Sequence, residues 1–203
     1  MKGEQDVREV LVDNTIRLIA EGGFEKTTTK AITFSGGELP NVKMNEVYIY
    51  RLFGTKEKLY ETAFETLDKE FLYALKNCVE QIGTLEGDTK EKLYQVFLRV
   101  WKFVLKNESR CRCYIRYYYS VYFKDESLEN HNRLFEEILS VFAPLFKNEA
   151  DVKSIMHCVL TTLLDFAVRV YNDDLENDPV NTQHVFNVLY CTMSAYFKDE
   201  IKA

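Results

Sequence analysis

Residues 27–59 read TTTKAITFSGGELPNVKMNEVYIYRLFGTKEKL. Thr27 or Thr28 suits the cap of a short helix running to about Ser35, because a threonine hydroxyl can accept from the first unpaired backbone N–H groups. Asn45 suits the cap of a second short helix, about 46–53, and Gly36-Gly37 lies in the turn between them. Two short helices joined by a glycine turn are how a DNA-reading helix is held off a protein surface. Ile49 and Phe53, four residues apart, are expected to face inward and hold that helix.

Working outward, the chain keeps a helical period. Upstream, Val7, Leu11, Thr15 or Ile16, and Ile19 recur at spacings of three and four and predict a helix over 5–21. Gly22-Gly23 is expected to stop it, with Phe24 folding back onto the core. Downstream, Leu59, Ala63, Leu67, Phe71, Leu75 and Ile82 mark a long helix from Lys56 to Gly83. Further helices are predicted over 88–107, 109–123, 126–147, 150–172 and from Asp178-Pro179 to about 200. Pro144 is expected to bend or shorten the third of these, and Asp178-Pro179 is a cap followed by proline at the first helical position. The fold class is therefore all-α, about nine helices. With 8 Gly and 3 Pro in 203 residues, long helices are expected and multistranded sheet is not.

The order of local motifs resembles the tetracycline-repressor (TetR) family of transcriptional regulators. The resemblance covers residues 8–65 and is carried by Gly23-Phe24, Thr27-Thr28-Thr29, Ile32, Ile49-Tyr50-Arg51-Leu52-Phe53 and Lys56-Glu57-Lys58-Leu59. It implies a helix-turn-helix DNA-binding domain over 1–60 and a larger helical ligand-binding and dimerisation domain over 61–203. The implied function is a homodimeric repressor, released from a palindromic operator by a small ligand. Its partners would be double-stranded DNA, a small-molecule effector and a second copy of the chain.

Residue roles carry over by position. Thr29 and Lys30 open the first short helix, where side chains and N–H groups can hold a phosphate. Tyr50 matches the family tyrosine that clamps a phosphate, and Lys56 the lysine beside the backbone. Asn45, Glu46, Val47, Tyr48 and Arg51 fall on the exposed part of the recognition helix. Asn and Arg can read adenine and guanine edges, and Val can touch a thymine methyl. Two features depart from the family pattern: the turn GGELPNVKM is about six residues longer, and Glu46 carries a negative charge where phosphates should lie. These favour an alternative reading, a helical ligand-binding or interaction protein of the same fold without specific DNA binding.

The acidic total argues mildly against a nucleic-acid partner and favours the alternative reading, although its distribution softens this. The net charge is −6; residues 1–60 carry nine Lys/Arg and nine Asp/Glu, and residues 61–203 carry 17 and 23. No apolar run reaches the roughly 20 residues of a membrane span, and MKGEQDVREV has no signal-peptide core. A cytoplasmic protein with no membrane partner is expected.

The effector would lie in the C-terminal region. The stretch CRCYIRYYYSVYF places Cys111, Tyr114, Ile115, Tyr118 and Tyr122 along one helical face. Phe97 and Trp101 could face them, with Phe166 from the eighth helix. Such a pocket suits a flat aromatic ligand; the competing reading is an aromatic core. Arg99, Arg116 and Arg169 are expected on the solvated face. Ile155, Val159 and Thr162 on the eighth helix, with Val188, Thr192 and Ala195 on the ninth, are the expected dimer interface.

Five cysteines without a signal peptide favour reduced thiols. Cys111 and Cys113 are two apart and diverge on a helix, so they share neither a metal nor a disulfide. His157-Cys158, and His184 with Cys191, offer too few ligands for zinc, and His131 stands alone. No metal, no cofactor and no enzymatic activity are predicted: Gly-x-Ser-x-Gly, a phosphate loop and His-Glu-x-x-His are all missing.

Overall fold

The structure, a computed structural model, describes residues 2–34 and 44–198. These form α1 (Lys2–Lys26), α2 (Thr29–Phe34), α3 (Val47–Phe53), α4 (Lys56–Glu80), α5 (Thr89–Lys106), α6 (Glu108–Tyr118), α7 (Asp125–Phe142), α8 (Val152–Tyr171) and α9 (Pro179–Ser194). No strand occurs among the described residues; Phe146 and Phe197 make one isolated antiparallel bridge. The fold is all-α, as the periodicity indicated.

The helix starts follow local chemistry. The Asp88 side chain accepts from Glu91 N–H while Glu91 accepts from Asp88 N–H, which is a full capping box. The Asp178 carboxylate accepts from Asn181 N–H at 2.8 Å, with Pro179 at the first position. Thr28 Oγ1 accepts from Ala31 N–H at 3.1 Å, so Thr28 is the cap of α2. Gly23 has φ 72° and interrupts α1 as expected, although helical hydrogen bonding resumes to Lys26. The positive φ at Gly23 is what favours glycine there; a Cβ would lie 2.9 Å from the Arg116 guanidinium, the mobile end of an exposed side chain.

Several helix ends differ from the sequence expectation. Helix α6 stops at Tyr118, not at 123, because Ser120 closes a turn: its Oγ donates to Tyr117 O and accepts from Tyr122 N–H. Helix α7 stops at Phe142, ahead of a short 3-10 turn containing Pro144. Helix α9 stops at Ser194, not near 200, because Lys147 N–H donates to Tyr196 O and Lys198 N–H donates to Leu145 O. That bridge buries Phe146 and Phe197 against each other, ring centroids 5.1 Å apart. Ser35 and the long turn that follows lie outside the described residues.

The chain divides into two compact units, Met1–Lys69 with Ser109–His131, and Glu70–Glu108 with Asn132–Ala203. In the first, Val7, Leu11, Ile16 and Ile19 of α1 are buried with Ile32, Ile49, Leu59, Ala63 and Leu67. Each such side chain contributes about 1.5–3 kcal/mol by leaving water. An aromatic layer completes this core: Phe64 stacks on Tyr117 at 4.4 Å, and Phe24 contacts Tyr60 at 5.3 Å and Tyr122 at 4.8 Å. Within it, Asp68 Oδ1 accepts from Tyr114 OH at 3.2 Å and lies 2.9 Å from His131 Nδ1. His131, alone in the sequence, is paired in the fold.

Burial pushes the Tyr117 hydroxyl up to about 12, and Tyr114 well up, there with help from the Asp68 charge. Burial also pushes the Cys113 thiol up to about 12, so it is not a nucleophile. Unfolded tyrosine ionises near about 10 and cysteine near about 8.5. The folded values are raised, so their contribution is full below those pH values and is lost as pH rises. We expect the melting temperature to fall from about pH 9 to about pH 12, and Tyr117→Phe to flatten that decline. A flat profile to pH 12 would contradict it.

The second unit packs α8 on α9, with α5 against both. Tyr171 OH donates to Val104 O at 2.7 Å and ties the end of α8 to α5. By length and composition α8 is also apolar enough to cross a membrane, a property no continuous run in the sequence suggested. An apolar helix packed on two neighbours meets the same criteria, so this is weak evidence of a span.

Candidate nucleic-acid interface

The candidate interface belongs to the first unit. Helix α3 buries Ile49 and Phe53 and turns Val47 (67% exposed), Tyr50 (54%) and Arg51 outward. Arg8 of α1 holds α3 from behind: its guanidinium donates to Leu52 O at 3.0 Å and lies 4.4 Å from the Phe53 ring. Gly54, at φ 80°, closes the helix with its N–H on Tyr50 O. Thr55 then caps α4 through Lys58 N–H at 3.1 Å.

Lys30 is exposed on α2, and Lys56 opens α4 with Nζ 5.5 Å from the Tyr60 ring. Tyr60 OH donates to Thr27 O at 2.6 Å, which ties the start of α4 to the start of α2. The elements carrying Lys30, Tyr50, Arg51 and Lys56 are thus fixed by buried or half-buried contacts while the four side chains remain accessible. Asn45 Oδ1 accepts from Val47 N–H at 3.0 Å, so it shapes the start of α3. Tyr48 is half-buried beneath Arg51, whose guanidinium lies 4.6 Å from its ring.

Two contacts were invisible in the sequence. Thr29 Oγ1 donates to a Glu46 carboxylate oxygen, so two candidate DNA-contacting groups satisfy each other. Arg51 pairs with Glu4 at 3.2 Å. The partners are 17 and 47 residues apart, and no local pattern links them.

No protein-family model matches the chain, and no curated protein matches it in sequence. Solved structures do match. A TetR-family transcription regulator from Marinobacter aquaeolei VT8 matches with a TM-score of 0.75 at 16% identity, over 95% of this chain and 98% of that one. The chain has the TetR-family fold. SmeT, the repressor of the Stenotrophomonas maltophilia multidrug efflux pump SmeDEF, matches with a TM-score of 0.62 at 17% identity, over 98% of this chain and 94% of that one. The fatty acid degradation regulator FadR from Bacillus halodurans matches with 0.62 at 16%, over 89% and 96%. At these identities the likeness is one of fold.

The aromatic residues of this chain divide between the units. Tyr114 and Tyr118 pack around Phe64, Phe123 and His131, and Tyr122 against Phe24 and Tyr60, all in the first unit. Phe97 and Trp101 belong to the second, stacked at 5.9 Å. Phe166 is half-buried on α8 with the Arg169 guanidinium 5.6 Å from its ring. Arg99 and Arg116 are exposed, as expected, and Arg169 pairs with Asp174 at 2.7 Å.

A cavity of about 60 Å³ lies among α5, α8 and α9 in the second unit, lined by Phe97, Val159, Leu163 and Phe186 with other apolar side chains. Ile155 and Val159, expected at a dimer interface, are buried within the chain. Thr162 and Thr192 are half-buried, while Val188 and Ala195 are exposed. Glu61, Glu65 and Glu126 of the first unit cluster as metal ligands would. Lys58 Nζ sits among them, 2.9 Å from Glu61 and 2.7 Å from Glu126, and supplies the cluster's counter-charge itself.

Proposed function

We propose that this chain is a DNA-binding transcriptional regulator, a homodimeric repressor released from a palindromic operator by a small ligand. The observation that carries the reading is the two-sided α3: Ile49 and Phe53 anchor it, and Val47, Tyr50 and Arg51 project from the other face, while Lys30 on α2 and Lys56 on α4 are accessible. Large exposed apolar groups on a short, well-anchored helix suit a groove of base edges, with the cations on flanking phosphates. The fold shared with SmeT and other regulators supports it. A two-fold dimer through the exposed faces of α8 and α9, with Val188, Thr192 and Ala195, would present one α3 to each half-site.

Release follows from α4. Its first turns belong to the unit that carries α3, and its Leu75 lines the apolar cavity of the other. A ligand that displaces Leu75 would move α4 and change the spacing of the two recognition helices. The test is a mobility-shift titration against DNA flanking the protein's own gene, at two salt concentrations. Tight binding that weakens steeply with salt and survives random competitor supports a specific regulator. Binding absent even at low salt overturns it.

The alternative, a helical ligand-binding protein that does not read DNA, is favoured by one observation: Glu46 and Glu4 already engage Thr29 and Arg51. On the regulator reading, Glu46 must give up Thr29 to a phosphate and then repels that phosphate. Glu46→Gln is therefore expected to tighten DNA binding by about fivefold at low salt, from about 1 kcal/mol of removed repulsion, and less as salt is added. Unchanged or weaker binding would show that Glu46 faces away from the backbone.

A further inference from the structure

The first unit holds a cavity of about 470 Å³, walled by the first turns of α4, the end of α6 and the turn that leads into α7. Its size falls within the roughly 300–1,000 Å³ of small-molecule sites. Tyr117 and Tyr122 give it an aromatic wall. Tyr117 is buried, with its hydroxyl 2.9 Å from Ser127 Oγ. The Tyr122 ring is braced by Phe24 at 4.8 Å and Tyr60 at 5.5 Å. Both rings are therefore held in place by the protein's own packing.

Charge sets the sign of the ligand. Glu57, Glu61, Asp125 and Glu126 line the cavity; against them stand Lys124 from the lining and Lys58 beside it. Four carboxylates against two lysines leave two negative charges uncompensated. Lys58 shows how an alkylammonium ion is held here, with Nζ 2.9 Å from Glu61 and 2.7 Å from Glu126. Glu57 makes no ion pair among the described residues, and Asp125 has only a loose one with Lys124, at 3.9 Å. These two exposed carboxylates are the acceptors that remain. A carboxylate suits a protonated amine, which has N–H donors, better than a quaternary ammonium, which has none. The ring face beside them takes methylene groups or a cation.

Beyond the effector of the regulator reading, we infer that this cavity is a second ligand site, which takes an aliphatic polyamine: ammonium groups on Glu57 and Asp125, and the methylene chain along Tyr122. The apolar cavity of the second unit offers no carboxylate and cannot take such a ligand.

Calorimetric titration with spermidine, at low salt and without DNA, tests it. Spermidine is expected to bind at one site per chain, about tenfold or more tightly than octylamine, which has a single ammonium group. The uncharged 1,8-octanediol is expected not to bind. Glu57→Gln with Asp125→Asn should weaken spermidine binding about tenfold or more. Both residues are exposed, and asparagine tolerates the φ of 47° at position 125. The same loss of charge by Glu149→Gln with Glu176→Gln, both exposed in the second unit, should leave binding unchanged. Lys124→Gln should tighten it about fivefold by removing a like charge, a gain that a damaged fold cannot imitate. Equal weakening by the two double variants would mean diffuse attraction to an acidic protein, and overturns the inference. So does displacement of spermidine by an equal concentration of Mg²⁺, octylamine binding as tightly as spermidine, or no spermidine binding to the unaltered protein. The regulator reading rests on the mobility shift alone, so either can fail without the other.

Discussion

Replacing Lys30, Arg51 and Lys56 together by glutamate is expected to abolish specific DNA binding, with a loss of about a thousandfold or more. The three cations come from α2, α3 and α4 of the first unit; Lys30 and Arg51 are exposed and Lys56 is half-exposed. Each phosphate contact carries a salt dependence of about 0.9 in the logarithmic slope. Each lost contact to DNA costs on the order of 1 kcal/mol or more, and an introduced carboxylate adds repulsion. Three reversals therefore remove the electrostatic part of the affinity and flatten the salt dependence by roughly three contacts' worth.

The fold should survive this triple change. Arg51 has one exposed ion pair, with Glu4, and exposed pairs contribute about 0–1 kcal/mol. Lys56 loses its contact over the Tyr60 ring, worth about 0.5–1 kcal/mol. The circular dichroism spectrum should thus match that of the unaltered chain and the melting temperature fall by only a few degrees, while the mobility shift is gone. If the variant binds operator DNA as well as its parent, α3 is not the reading helix.

Asp68→Ala is expected to destabilise the first unit by about 2–5 kcal/mol, as removal of a buried acceptor shared by two polar groups does. Asp68 is 1% exposed, and one of its oxygens serves both Tyr114 OH and His131 Nδ1. Alanine removes the acceptor of the Tyr114 hydroxyl and the carboxylate beside the His131 ring from a layer of Phe64, Tyr118 and Phe123. Each such lost contact costs about 1–3 kcal/mol. Urea unfolding followed by tyrosine and far-ultraviolet signals measures the loss, with the two units allowed separate transitions. Adding His131→Phe to Asp68→Ala should recover part of the loss, because an apolar ring needs no partner. A cost under about 1 kcal/mol for Asp68→Ala would mean the network is not structural.

Much of this protein can be read from neighbouring residues. The helical class, the caps at Asp88 and Asp178, the interruption at Gly23 and the inward pair Ile49/Phe53 all follow from hydrogen bonds and side-chain spacings within one or two turns. The same holds for the outward set Val47, Tyr50 and Arg51, since a helix that buries one face must expose the other. Those residues also carried the likeness to TetR-family regulators.

What the sequence did not determine depends on residues far apart in it. The pairing of His131 with Asp68 spans 63 positions, and that of Glu46 with Thr29 spans 17. Neither leaves a periodic trace. Helix α9 ends at Ser194 because Phe197 is drawn against Phe146, not because its own residues resist helix. The tyrosine-rich stretch announces a buried aromatic face, but periodicity cannot say which core receives it; packing places it with Phe64 and His131. Helical spacing likewise puts Trp101 on an inward face, and only the surrounding structure decides whether its N–H finds a partner. Short-range order is set by the chain's own backbone and caps, whereas the burial and pairing of polar groups are set by whichever distant segments close over them.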